Sequence, residues 1–225
     1  MNKSNYSPVS EFVLLGLSTY RPVQHFLLAF SAVFYVTIVL GNLLVVFAVT
    51  FDPFLHSPMY FLLANLSFID LCFSTLTVPK MIHNLYSGYK TISFQGCVIQ
   101  IFALHVLGGS EMVLLIAMAL DRYVAICKPL HYLTIMSPQM CILLLSGAWV
   151  IGLIHAVVQV AFVVHLCIFV YVWPFPTVPV DKFLAILDFM ITPILNPIIY
   201  TLRNKDMKMA MKRLSSQFLS LRMIS

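Results

Sequence analysis

Two carboxylic acids stand where carboxylic acids are expensive. Asp70 lies inside an apolar run from Pro58 to Val78, and Glu111 a little over halfway along another from Gly96 to Leu120. A charge in such surroundings costs several kcal/mol unless it is paired or hydrated, so both acids must face inward. Two readings stay open. Each acid is a neutral, hydrogen-bonded core residue, or both line one hydrated pocket able to hold a cation, with Asn42 and Asn196 beside them. Peptide hydrolysis by an intramembrane aspartyl pair would require Asp70 to meet Asp188. The contexts Phe68-Ile69-Asp70 and Ile186-Leu187-Asp188 lack the glycine motif such proteases use. No phosphate-binding glycine loop, HExxH pair or nucleophile elbow is present, so neither an enzyme nor an organic cofactor is expected. Five cysteines, at 72, 97, 127, 141 and 167, show no CxxC or Cys/His metal spacing.

The elements that position these acids follow from composition. The chain has 225 residues, 61% hydrophobic and 9% charged, with a mean hydropathy of +0.97. A soluble domain could not bury that much apolar surface, which leaves an all-α polytopic membrane protein. At 1.5 Å per residue, about 20 residues cross a hydrocarbon core of about 30 Å. Expected spans are 26–50, 58–78, 96–120, 139–173 and 183–202, after an outer segment 1–25. Residues 139–173 are too long for one untilted crossing and too short for two with a turn, so one continuous helix is expected. The last span sets Asp188, Thr192, Asn196 and Tyr200 at four-residue steps, a slowly turning polar stripe.

Past residue 203, Met207, Met211, Leu214, Phe218 and Leu221 alternate with Lys205, Lys208, Lys212 and Arg213. That pattern predicts an amphipathic helix over 204–219 lying on an anionic lipid leaflet. Lys and Arg number eight on the tail's side and five on the other, which places the tail inside and the amino terminus outside. The net charge of +5 is then a topology signal, and no nucleic acid is expected as a partner. Residues 1–22 are polar, and Glu11 and Arg21 interrupt any apolar core, so no cleavable signal peptide is expected there. Asn5-Tyr6-Ser7 makes Asn5 a glycosylation candidate on the outer side, as Asn2-Lys3-Ser4 makes Asn2.

The third apolar run closes on Met118-Ala119-Leu120-Asp121-Arg122-Tyr123-Val124-Ala125-Ile126-Cys127-Lys128-Pro129-Leu130-His131-Tyr132. With Leu55-His56-Ser57-Pro58-Met59-Tyr60-Phe61-Leu62 and Asn196-Pro197-Ile198-Ile199-Tyr200, this resembles the odorant receptors among rhodopsin-like G-protein-coupled receptors. The resemblance covers roughly residues 10–160 and 168–218. It implies a helical bundle, cut here from seven to about five spans. It also implies small volatile apolar ligands bound against His105, Gly108 and Gly109, and coupling to a heterotrimeric G protein. Arg122, held at rest by Asp121, would be released with Tyr123 toward the G protein. Leu130 would pack into it, and Pro197 and Tyr200 would support the open form. Related receptors hold sodium beside the acid equivalent to Asp70, which favours a structural sodium ion among Asp70, Glu111 and Asn196. The residues alone leave His105-Val106-Leu107-Gly108-Gly109-Ser110 open to either a ligand or a packed helix.

The chain departs from the family after about Val164. The second extracellular loop, the fifth helix and the inner half of the sixth have no counterpart. Fourth and sixth helices run in the same direction, so the head of one can join the tail of the other. In related receptors the equivalent of Cys97 bonds to the missing loop, so a substitute Cys97–Cys167 disulfide or a free Cys97 is expected. The family resides in the plasma membrane; this chain is open to retention in the endoplasmic reticulum, or to action through a receptor dimer. A small transporter is the competing class; such folds often carry an internal repeat, none is found here, and an odd number of spans suits it poorly.

Overall fold

Proline marks where three of the membrane-length helices start, because its missing N–H falls among donors that a first turn leaves unbonded anyway. The computed structural model describes residues 11–13, 20–87, 91–172, 193, 195–196 and 205–224, with backbone alone for 11–13, 163–172 and 217–224. Helix α1, Arg21–Phe51, has Pro22 in its first turn, and α2, Pro58–Ser87, begins on Pro58. Helix α3, Phe94–Cys127, starts differently. The Ser93 hydroxyl accepts from the Gly96 N–H at 3.1 Å, a side-chain cap. A 3-10 turn at Pro129–His131 leads into the short α4, Tyr132–Ile135, then α5, Pro138–Val172, and finally α6, Lys205–Ile224.

Among the described residues, four helices are long and apolar enough to cross a membrane: α1, α2, α3 and the Pro138–Phe162 part of α5. The all-α bundle expected from composition is what is observed. Helix α5 is unbroken over 35 residues. The expected span 183–202 lies outside the described residues, except for the helical Pro193, Leu195 and Asn196.

The helices outrun the apolar runs used to place them, for identifiable reasons. Helix α2 continues through Pro79 to Ser87 instead of stopping at residue 78. Pro79 strips a helical donor from the Thr75 carbonyl, and the next carbonyl, Leu76, accepts from the Gln100 side chain at 3.1 Å. Neighbouring helices commonly re-satisfy backbone loosened by a proline inside a membrane. Helix α3 runs on past Leu120 to Cys127 because charge ends an apolar run but does not end a helix. Lys128 and Pro129 end it. Helix α1 begins at Arg21, inside the segment expected to be an outer tail. That segment also holds a strand absent from the expected fold: β1, Glu11–Val13, pairs antiparallel with β2, Thr91–Ser93, with Phe12 opposite Ile92.

Packing is sequential: α1 lies on α2, α2 on α3, and α3 most extensively on α5. Leu62, Leu63, Leu66 and Ile69 of α2 and Leu114 of α3 are fully buried at the centre. Met207 and Ala210 of α6 are equally buried, so the amphipathic helix is seated on the bundle through its apolar face.

Candidate functional site

The inward-facing acids meet. Asn196 donates from Nδ2 to Asp70 Oδ2 at 3.0 Å and to Glu111 Oε1 at 3.3 Å. Asp70 is fully buried, and Glu111 and Asn196 nearly so. Asn42 of α1 closes the group from the side, its Nδ2 donating to Ile38 O at 3.1 Å and Pro193 O at 3.2 Å. Helices α1, α2 and α3 and the 193–196 segment thus converge on one polar centre. Two buried oxygens of this group, Asn42 Oδ1 and Asp70 Oδ1, have no hydrogen-bond partner; nor do the buried Ser67 Oγ of α2 and Ser110 Oγ of α3, the latter facing Gly152 of α5. Two carboxyl groups sharing one amide repel if both are charged, and the ion pair among the described residues lies elsewhere, between Arg213 and Asp52. Carboxylate and amide oxygens are the ligand type that hard cations take.

At the inner end of α3 the geometry departs from the expected Asp121–Arg122 pairing. Asp121 is buried and accepts from the Tyr132 hydroxyl at 2.7 Å. Among the described residues Arg122 forms no ion pair and lies exposed, with Tyr123 beside it. Consecutive residues on a helix point to different faces, so Asp121 turns inward while Arg122 turns out. Burial, and then the bond to Asp121 and its charge, push the Tyr132 phenol above its ordinary value. Leu130, in the turn between them, is 94% exposed. Tyr132 was not singled out by sequence; an aromatic hydroxyl eleven residues beyond Asp121 was the available signal.

A second inner contact was also missed. Arg213 of α6 reaches Asp52, in the turn after α1, at 2.8 Å and lies 4.6 Å over the Phe54 ring. Tyr60 donates to Asp206 at 3.2 Å. Burial raises the Asp52 carboxyl, but the Arg213 hydrogen bond, the Phe54 N–H and the charges of Arg213 and His56 outweigh it and hold it below the ordinary carboxylate value.

In the outer half, His105 is half-buried, with Nδ1 2.8 Å from Ile101 O. A Cβ on Gly108 would touch Phe73 at 3.8 Å, and one on Gly109 would lie 3.0 Å from Gly152 Cα. The glycine surface at Gly109 is therefore occupied by α5. Cys97 is half-buried in the first turn of α3. The side chain of Cys167, Pro197, Tyr200 and Asn5 lie outside the described residues, so neither the disulfide nor the glycosylation expectation is reached.

The comparisons agree with the geometry. Residues 41–168 match the family model for the seven-transmembrane receptors of the rhodopsin family. Olfactory receptor 4F6 of Homo sapiens is 46% identical over 307 residues, covering 98% of this chain and 98% of the relative. Olfactory receptor 4F15 of Homo sapiens is 43% identical over 304 residues, covering 96% and 97%. Olfactory receptor 4K5 of Homo sapiens is 40% identical over 312 residues, covering 100% and 97%. Membrane-length helices, an acid pair buried among them and these likenesses lead to one conclusion: the chain is a multi-pass membrane protein, not an enzyme, and belongs to the olfactory receptors of the rhodopsin family.

Proposed function

We propose that this chain keeps the family's inner coupling face but has lost the switch by which an odorant would work it. The observation that carries the reading is length. The alignment with olfactory receptor 4F6 runs over 307 residues, whereas this chain has 225 and is 98% covered. That mismatch supports an internal deletion, placed by the sequence after about Val164. The continuous α5, Pro138–Val172, is then a fourth helix joined to the outer end of a sixth.

Asp121, Arg122, Tyr123 and Leu130 form the face offered to a heterotrimeric G protein, with Pro197 and Tyr200 as supports. Asp70, Glu111 and Asn196, with the orphaned oxygen of Asn42, are the groups that would hold sodium, whose charge offsets two neighbouring carboxylates. His105 and Gly108 remain as one wall for a small apolar odorant, while Gly109 is covered. The opposite wall is missing, and Met112, Ile116, Tyr123 and Ile126 of α3 lie open to lipid or to a second receptor chain. A ligand shifts a conformational equilibrium only by its differential affinity for the two states. Full-length receptors switch by a rigid-body outward movement of the sixth helix, and here its inner half has no equivalent. The chain then acts as a non-signalling receptor remnant, held in the endoplasmic reticulum or modulating full-length receptors as a dimer.

The test is odorant-evoked cyclic AMP in cells co-expressing a transport chaperone, with surface delivery measured in parallel. No response and poor delivery are expected. A reproducible dose-dependent response abolished by Arg122→Ala would refute the reading.

A further inference from the structure

Between the inner ends of α1, α2 and α5 the chain holds a cavity of about 750 Å³. The residues that line it all lie between Val49 and Ile142. The chain departs from the family pattern only after about Val164, so the walls of this cavity are untouched by that change. It lies at the opposite end of the bundle from His105 and apart from the Asp70–Glu111 centre.

The cavity opens sideways. Thr50 of α1, Phe61 of α2 and Ile142 of α5 line it and are exposed on membrane-length helices. A molecule dissolved in the inner leaflet therefore reaches it without crossing the cytosolic boundary.

The lining sets the chemistry of an occupant. It contains no Asp, Glu, Lys or Arg, so a charged headgroup would be desolvated there without a partner. Most of the wall is apolar, with polar groups at two levels. At the inner level, just before α2, are His56 and Ser57. Among the described residues, neither the His56 ring nor the Ser57 hydroxyl has a hydrogen-bond partner. The second level is Asn65, seven residues beyond Pro58 and so about 10 Å farther along the helix. Its Nδ2 donates to the Phe61 carbonyl at 2.8 Å. A carbonyl only accepts, so the amide nitrogen is the atom turned to the backbone, and Oδ1 is left unmatched. Lipid tails offer it no donor. Apolar walls with a few fixed polar groups, in a volume of about 300–1,000 Å³, are how small-molecule sites are built.

We infer that this cavity binds an uncharged, bulky lipophile from the inner leaflet, with a hydrogen-bonding group at each end, about 10 Å apart. A steroid with oxygen at both ends of its ring system has this form. Its hydroxyl donates to Asn65 Oδ1, and its ketone accepts from Ser57 or His56. A membrane sterol, with oxygen at one end and a hydrocarbon tail at the other, leaves one level unmet.

The experiment uses the full chain in lipid nanodiscs with tritiated testosterone, counting bound ligand per chain. Saturable binding of one steroid per chain is expected, undiminished by a large excess of cholesterol. Asn65→Leu keeps the volume and removes the deep acceptor, and should weaken binding about tenfold. Ile142→Trp fills the mouth from a lipid-exposed position, where the fold tolerates bulk, and should abolish binding. Helicity is checked for both. No saturable binding, equal displacement by cholesterol, or wild-type affinity in either variant overturns the inference. Binding is read directly and not through cyclic AMP, so the result is independent of whether the chain couples to a G protein.

Discussion

The inner corner formed by α1, α2 and α6 and the crossing of α3 with α5 are held by opposite means. At the corner, side chains reach across space: Arg213 to Asp52, Tyr60 to Asp206, and Met207 into the core. At the crossing, side chains are removed, and Gly109 and Gly152 let backbones meet. Burial follows the difference. Half of the apolar window of α2 is buried, against 22% of that of α5. Lipid is as apolar as leucine, so a helix exposed on most of its surface is held by fit and not by exclusion from water. The corner should therefore tolerate loss of any one contact, and the crossing should not.

The largest effect is expected at Gly152. Its added Cβ would meet the α3 backbone, which cannot step aside as a flexible side chain would. Gly152→Val should cost about 3 kcal/mol or more, the top of the overpacking range, read as a fall in thermal midpoint in nanodiscs. Gly147, on the same helix, has nothing within 4 Å, so Gly147→Ala should be neutral or stabilising by up to about 1 kcal/mol. Equal effects at the two positions would mean that backbone contact at Gly152 does not hold the crossing.

Next in size is the polar centre that joins the two regions. Asn196→Ala leaves two buried carboxyl groups without their shared donor, at about 1–3 kcal/mol. If sodium occupies that centre, raising sodium should restore part of the lost midpoint, and potassium at equal ionic strength should restore less. Tyr132→Phe removes the donor to Asp121, and a hydrogen bond to a carboxylate is worth about 1.5–3 kcal/mol, less where water can replace it. Hydrogen exchange should quicken over Pro129–Ile135 and leave α6 unchanged.

The smallest effect is expected at Asp52. Arg213 is 40% exposed, and such pairs contribute about 1 kcal/mol or less. Asp52 is held below its ordinary carboxylate value, so its contribution is complete above that value and fades only as pH falls through the lower folded one. Exchange protection of α6 should thus be flat through neutral pH and drop in acid. Asp52→Asn should remove the step. A step near neutral pH would assign the contact to another group.

What was legible in the sequence was local. The apolar runs announced each described membrane-length helix, and the Met and Lys alternation announced α6, because both patterns repeat within a few residues. Asp70 and Glu111 could be sent inward by cost alone, and Asn196 was placed with them. Ends were less legible, since α3 outlasts its apolar run by a full turn and more. Long-range partners were not legible at all. Nothing near Phe12 names Ile92, and nothing near Gly109 names Gly152 or His155, because those meetings depend on how whole helices rotate and cross. The bond from Tyr132 to Asp121 was illegible for a related reason, since it closes only when the chain turns back after α3.

The small strand pair constrains the whole molecule through crossing parity. Two strands bond only on the same side of a bilayer, so an even number of crossings separates Val13 from Thr91, as α1 and α2 supply. The same holds between Asp52 and Arg213 on the opposite side. These two contacts fasten the chain on its two sides like a pair of cuffs, and neither depends on counting charges. A helix inserted backwards would break a cuff, so misthreaded chains are marked by an unpaired strand on one face or a loose basic helix on the other.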